Sequence, residues 1–217
     1  MFTRYGYTTI GIVAILTFIL IISSFFLQNN PIKIVLILIA AILLFTTLNF
    51  FRDPERKTPI RKGIIVSPAD GKIILSIGGI YNNYIGENCN MISIFMSPLN
   101  VHVNRIPISG KVDYLKYFEG KFTAAFDDKA SENNERMEIG IKNEFGKFLF
   151  TQVAGFLARR IVNELSIGDS ATIGERFGMI KFGSRVDIFV PNKWIPVVKL
   201  NENVKAGETI LFELKDK

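Results

Sequence analysis

The sequence predicts a mainly β (α+β) protein, in which a two-helix apolar hairpin precedes a barrel- or sandwich-like β domain with barrel-sandwich-hybrid character. Three observations predict it. Residues 5–32 and 34–51 carry no charge. From about Ile64 onward, short β-prone runs alternate with Gly, Pro and Asn turns. The net charge of +6 divides into +2 over residues 1–50, +3 over 51–62 and only +1 over the remaining 155.

The first element is the run Ile10–Leu27, and the second is Ile34–Phe51. At about 1.5 Å per residue, each 18-residue run spans about 27 Å, close to the hydrocarbon thickness of a bilayer. The link QNNPIK supplies residues suited to a tight reversal. A cleaved signal peptide does not fit, because no small-residue cleavage site follows and a second apolar run comes at once. The basic border RDPERKTPIRK follows the second run. By the positive-inside bias, it predicts a cell-membrane protein with its main domain on the cytoplasmic side. The expected division is 1–55 for the hairpin and 56–217 for the β domain.

The β domain reads from GIIVS, GKIILSI, MISIFM, GKVDYLKYF, MEIGIK, KFLFTQVAG, GMIKF, VDIFV and TILFEL. LARRIVNEL, Leu157 to Leu165, is the one stretch that reads as helix. Residues 119–136 are polar and turn-rich and read as a mobile loop. A hydrophobic content of 48% and a mean hydropathy of +0.28 exclude a disordered chain. A single cysteine, Cys89, rules out an internal disulfide, argues against a cysteine zinc site and reads as a small buried residue. The near-neutral main domain argues against a nucleic-acid partner.

Three residues could carry chemistry, and each is weak by itself. His102, the one histidine, sits between two valines in SPLNVHVNRIP and reads first as a strand residue. Asp70 in SPADGKI reads as a turn residue. Ser184 in KFGSRVD follows Gly183, a common turn pair, and no G-x-S-x-G elbow surrounds it.

Taken together and in order, the words NFFRDPER, SPADGKI, FMSPLNVHVNRIPISGKV, NERMEIGI, QVAGFLARRIV, GERFGMIKFGSRVDIFVP and VKAGETIL carry a resemblance. The chain resembles the phosphatidylserine decarboxylase proenzymes, in their short FGSR-type branch, from about Asn49 to Leu211. The resemblance implies a pyruvoyl-dependent carboxy-lyase that cuts its own chain between Gly183 and Ser184, into 1–183 and 184–217. It implies that Ser184 is the nucleophile and becomes the pyruvoyl group, which forms a Schiff base with the substrate amine. His102 is the implied base of self-cleavage and the later proton donor, and Asp70 orients it. No metal is implied. The implied partners are phosphatidylserine in the membrane and the two fragments of one proenzyme, with a higher oligomer left open.

Arg185, beside the cut, is a candidate for the lipid phosphate or carboxylate, whereas Arg159 and Arg160 read as solvated arginines. Three alternatives stay open at this point. One is a membrane-tethered barrel-sandwich binding module, one is a decarboxylase of another serine lipid such as archaetidylserine, and one is a membrane serine hydrolase.

Overall fold

Uninterrupted apolar sequence makes the first two elements. Tyr7–Phe25 forms helix α1 and Asn30–Phe50 forms helix α2. Large apolar side chains such as Ile12, Phe18, Leu38 and Phe45 stand exposed along both. A helix with no polar face has none to offer to water. The hydroxyls of Thr17, Ser24 and Thr46 bond back to the helix carbonyls of Ala14, Ile21 and Ile42, so these polar groups are satisfied within their own helices. Asn29 caps α2 by accepting from Ile32 N at 3.3 Å, with Pro31 in the first turn. Ala40, Thr17 and Ser24 are buried, as small residues are where two helices approach closely. The open end is closed by a Phe2–Arg52 bridge and by Asp53 N donating to Met1 O at 2.8 Å. By length and composition, both helices suffice to cross a membrane.

The computed structural model describes residues 1–120, 134–155, 160–181 and 184–215, and the chain divides into two units, Met1–Glu55 and Arg56–Lys217. In the second unit the β-branched and aromatic runs become strands. These are β1 (Ile64–Val66), β2 (Gly71–Asn82), β3 (Glu87–Met96), β4 (Val103–Arg105), β5 (Gly110–Phe118), β6 (Arg136–Asn143) and β7 (Gly146–Ala154). There follow β8 (Arg160–Asn163), β9 (Ser170–Ala171), β10 (Arg176–Lys181), β11 (Ser184–Pro191), β12 (Trp194–Pro196), β13 (Asn203–Val204) and β14 (Ile210–Leu214).

An eight-stranded sheet in the order β13-β2-β3-β11-β7-β6-β5-β9 curls into a half-barrel. Two three-stranded sheets, β1-β14-β12 and β4-β10-β8, accompany it. Alternate residues of the large sheet, among them Ile92, Ile94, Ile139, Ile141, Phe148, Phe150, Val186 and Ile188, point into one core. Trp194 closes that core with its ring edge-to-face on Phe148, the centroids 5.4 Å apart. The mainly β architecture behind two apolar helices is therefore the one expected.

One expectation is corrected. Arg160–Asn163, inside the stretch read as helix, is strand β8, paired antiparallel with Gly178–Lys181 of β10. Leu, Ala and Arg favour helix locally, but Ile161 and Val162 suit a strand, and pairing with a buried neighbour overrides so short a preference. Leu157 to Arg159 lie outside the described residues, as do 121–133 of the expected mobile loop.

Candidate active site

Ser184 is the first residue of β11, and β11 runs through the middle of the large sheet between β3 and β7. Lys181, the last residue of β10, belongs to a different sheet. Ser184 therefore stands just past the point where the chain crosses from one sheet to another. Gly183 lies outside the described residues.

The register fixes which side chains surround Ser184. It pairs with Met96 of β3 and Ala154 of β7, and Val186 pairs with Ile94 and Gln152. Directly opposed residues share a face, so Ser184, Met96, Ala154 and Gln152 look to one side, the core side. Ser184 is wholly buried and its Oγ makes no hydrogen bond. A buried hydroxyl left unpaired costs about 1–3 kcal/mol, which calls for a functional reason.

His102 directly precedes β4 and is also fully buried. Its Nδ1 lies 2.9 Å from the carbonyl oxygen of Asn100. A carbonyl only accepts, so Nδ1 carries a proton, and whenever the ring is neutral the lone pair is on Nε2. Two residues on, Asn104 reaches toward the Ser184 face. Gln152 Nε2 donates to Asn104 Oδ1 at 2.9 Å, and Asn104 Nδ2 approaches Met96 Sδ at 3.9 Å and Pro68 O at 3.4 Å. Gln152 Oε1 is a second buried polar atom without a hydrogen bond.

Pro68 opens the turn that carries Asp70. Ser67 Oγ donates to Ala69 O, and Arg105 N donates to Pro68 O at 2.9 Å, which pins the turn against β4. Gly71 is required here, because any Cβ would overlap the backbone carbonyl of Phe95. The Asp70 carboxylate accepts from Arg56 Nη2 at 2.7 Å on Oδ2 and from Ala206 N at 2.7 Å on Oδ1. Arg56 also reaches Glu208 at 3.2 Å, and Glu208 accepts from Lys57 N at 3.0 Å. The Lys57 N–H, with Arg56 adding to it, holds the Glu208 carboxyl below its ordinary 4.5 against the opposing effect of burial.

The fold thus brings the turn of Asp70, the strand after His102 and the start of β11 to one end of the sheet, linked through Asn104 and Met96. It does not join the three side chains by hydrogen bonds: Asp70 bonds to Arg56 and Ala206, and Ser184 Oγ to nothing. Arg185 faces the other way. It is 1% exposed, donates from Nε to Asp187 Oδ1 at 2.6 Å and from Nη2 to Ser93 Oγ at 2.9 Å. This pair borders a cavity of about 530 Å³ on the face opposite Ser184, lined by Leu75, Met91 and Phe189. Arg159 and the side chain of Arg160 lie outside the described residues. Cys89 is buried as expected, and burial, with Glu87 adding, pushes its thiol up to about 11.

Sequence reasoning missed Arg56, Asn100, Asn104, Gln152 and Ala206. Arg56 counted as border charge, and no local signal ties it to Asp70. Asn100 and Ala206 act through backbone atoms, which no residue type announces.

A family model described as phosphatidylserine decarboxylase matches residues 43–212. The chain belongs to the phosphatidylserine decarboxylase family. It is 50% identical over 214 residues to the phosphatidylserine decarboxylase proenzyme of Chlorobium phaeovibrioides, covering 99% of this chain and 97% of that one. The proenzyme of Chlorobium limicola is 46% identical over 211 residues, 97% of this chain and 99% of that one. That of Prosthecochloris aestuarii is 44% identical over 217 residues, 99% of this chain and 98% of that one. Phosphatidylserine decarboxylases are carboxy-lyases, and this chain is an enzyme of that class. The expected resemblance thus holds over nearly the whole chain.

Proposed function

We propose that the protein converts phosphatidylserine to phosphatidylethanolamine and carbon dioxide, using a pyruvoyl group that it makes from Ser184. The observation that supports this reading best is the buried, unbonded Ser184 Oγ at the crossing between two sheets. A hydroxyl of that kind is stored for reaction rather than used to hold structure. The same buried first residue of β11 fits the pyruvoyl group, whose carbon atoms are those of Ser184 and whose ketone oxygen comes from water.

Self-cleavage follows from the chain's own residues. Ser184 Oγ attacks the carbonyl carbon of Gly183, and His102 Nε2, held ready by the Asn100 carbonyl, takes the hydroxyl proton. Asp70 contributes a fixed negative charge that supports the imidazolium formed when His102 takes the proton. The peptide C–N bond breaks to leave an ester and a free amine on residue 184. Loss of the Ser184 α-proton expels Gly183 as a carboxylate. Water then replaces the nitrogen, ammonia leaves, and a ketone remains at the start of the small fragment. That ketone supplies an electron sink for loss of carbon dioxide from a substrate joined to it through its amine. His102 then returns a proton to the product carbon. Arg185, bonded to Asp187 and Ser93 on the other face, borders the cavity there and is kept as a candidate for the lipid phosphate or carboxylate.

The fragments 1–183 and 184–217 remain together because β11 lies against both β3 and β7, β13 against β2, and β14 against β1. The two apolar helices suggest membrane association. Such an anchor would hold the domain near its lipid at high effective concentration, and the basic border favours the cytoplasmic side.

Intact-mass analysis of the purified chain under denaturing conditions tests the reading. Two fragments meeting at 183–184 are expected, the smaller with a ketone in place of its terminal amine, whereas Ser184→Ala stays whole. A single uncut chain in an active preparation overturns the reading.

A further inference from the structure

We propose that Arg56 is a positioning residue for self-cleavage: it clamps the Asp70 carboxylate, and so fixes the negative charge that supports the His102 imidazolium. The inference rests on the reading of Asp70 given above.

The Arg56 side chain is 9% exposed and that of Asp70 12%, so this is a largely desolvated ion pair. Taking a guanidinium and a carboxylate out of water is costly unless geometry and further hydrogen bonds offset it. Here they do. Arg56 bonds Asp70 with Nη2 and Glu208 with Nη1, and the second Glu208 oxygen is fixed by Lys57 N. Ala206 N holds the other Asp70 oxygen at 2.7 Å.

The Asp70 carboxylate is therefore gripped once on each oxygen, from two sides. Each oxygen keeps a second lone pair. The clamp fixes the place and plane of the carboxylate, and with them the charge it presents, while leaving acceptor capacity on both oxygens. The planar fork of arginine spans two carboxylates, whereas a lysine ammonium is a point charge with no such fork. The clamp also draws on both sides of the proposed cut, since Arg56 precedes it and Ala206 and Glu208 follow it. Asp70 thus stays gripped after the chain is broken.

The test is the rate at which newly synthesised full-length chain is converted to fragments, followed on denaturing gels for Arg56→Gln, Asp70→Asn and the double variant. Loss of one charged hydrogen bond should slow Arg56→Gln by about tenfold or more. The double variant should be no slower than Asp70→Asn, because Arg56 acts only through Asp70. Arg56→Lys should recover part of the rate. Melting temperatures taken in a Ser184→Ala background separate this from unfolding. A merely structural Arg56 predicts rate losses that multiply in the double variant, and that result overturns the proposal. So does Arg56→Gln cleaving at the wild-type rate while Asp70→Asn is slow. Asp70→Asn cleaving at the wild-type rate overturns the reading of Asp70 and the proposal with it. Should Arg56→Gln fail to fold, Glu208→Gln unhooks the far arm alone: slowing by several-fold supports the clamp, and a wild-type rate overturns it.

Discussion

The two faces of β11 carry polar groups in opposite states. On one face Arg185 and Asp187, each 1% exposed, are bonded to each other, and Arg185 also bonds Ser93. On the other, Ser184 Oγ and Gln152 Oε1 are equally buried and bond to nothing. The same strand therefore has a side whose polarity holds the sheet together and a side whose polarity is left unspent. Satisfied buried polar groups rigidify, whereas unsatisfied ones mark where a protein keeps reactivity in reserve.

Five variants break or sharpen that contrast. The largest effect is expected from Ser184→Ala, which should abolish self-cleavage entirely without lowering the melting temperature, since it removes an unpaired hydroxyl. A clearly less stable uncut chain would contradict the claim that Ser184 Oγ is unsatisfied. Next is Asp187→Ala, which takes the carboxylate from a buried guanidinium and should lower stability by about 3–5 kcal/mol in denaturant unfolding. Replacing both partners together, Arg185→Met with Asp187→Leu, should recover most of that loss, because a matched apolar pair carries no stranded charge. A double variant as unstable as the single one would mean that the pair acts through more than its charges.

Gln152→Met should lower stability by about 1–2 kcal/mol at most, because it loses the Nε2 hydrogen bonds to Asn104 Oδ1 and Val162 O but also removes an orphaned acceptor. The smallest effect concerns acid. The Glu208 carboxyl is held below 4.5, so the stability it contributes is fully present above 4.5 and is lost as pH falls through its lowered value. Melting temperatures of wild type and Glu208→Gln should therefore differ at neutral pH and converge on acidification. A gap that persists in acid would show that the ionised form is not what matters.

Much of the architecture was legible because composition alone decides it. Eighteen uncharged residues in a row have few alternatives to a helix in an apolar medium, and runs such as MISIFM between turn residues pair as strands. The shortest strands, β9 and β13, contain two residues each and exist only because a partner lies beside them, so no sequence period announces them. Arg160–Asn163, within the stretch LARRIVNEL, was misread for a related reason: pairing with β10 decided it as strand. In the site, Ser184, His102 and Asp70 were reached through word order and resemblance. Arg56 was read as surface charge because its partners are 14 and 152 residues away. Distance in sequence hid an ion pair that the fold makes local.

The crossing of the chain at residue 184 also bears on how the protein survives damage. Before cleavage, β11 finds its slot between β3 and β7 as part of one continuous chain. After cleavage at that point, the same strand arrives as a separate molecule, and the search becomes bimolecular. The melting midpoint of the cut protein should then depend on protein concentration, as that of the uncut Ser184→Ala chain does not. Folding would be easy once and hard thereafter, so the mature form would owe its persistence to slow unfolding rather than to its ability to refold.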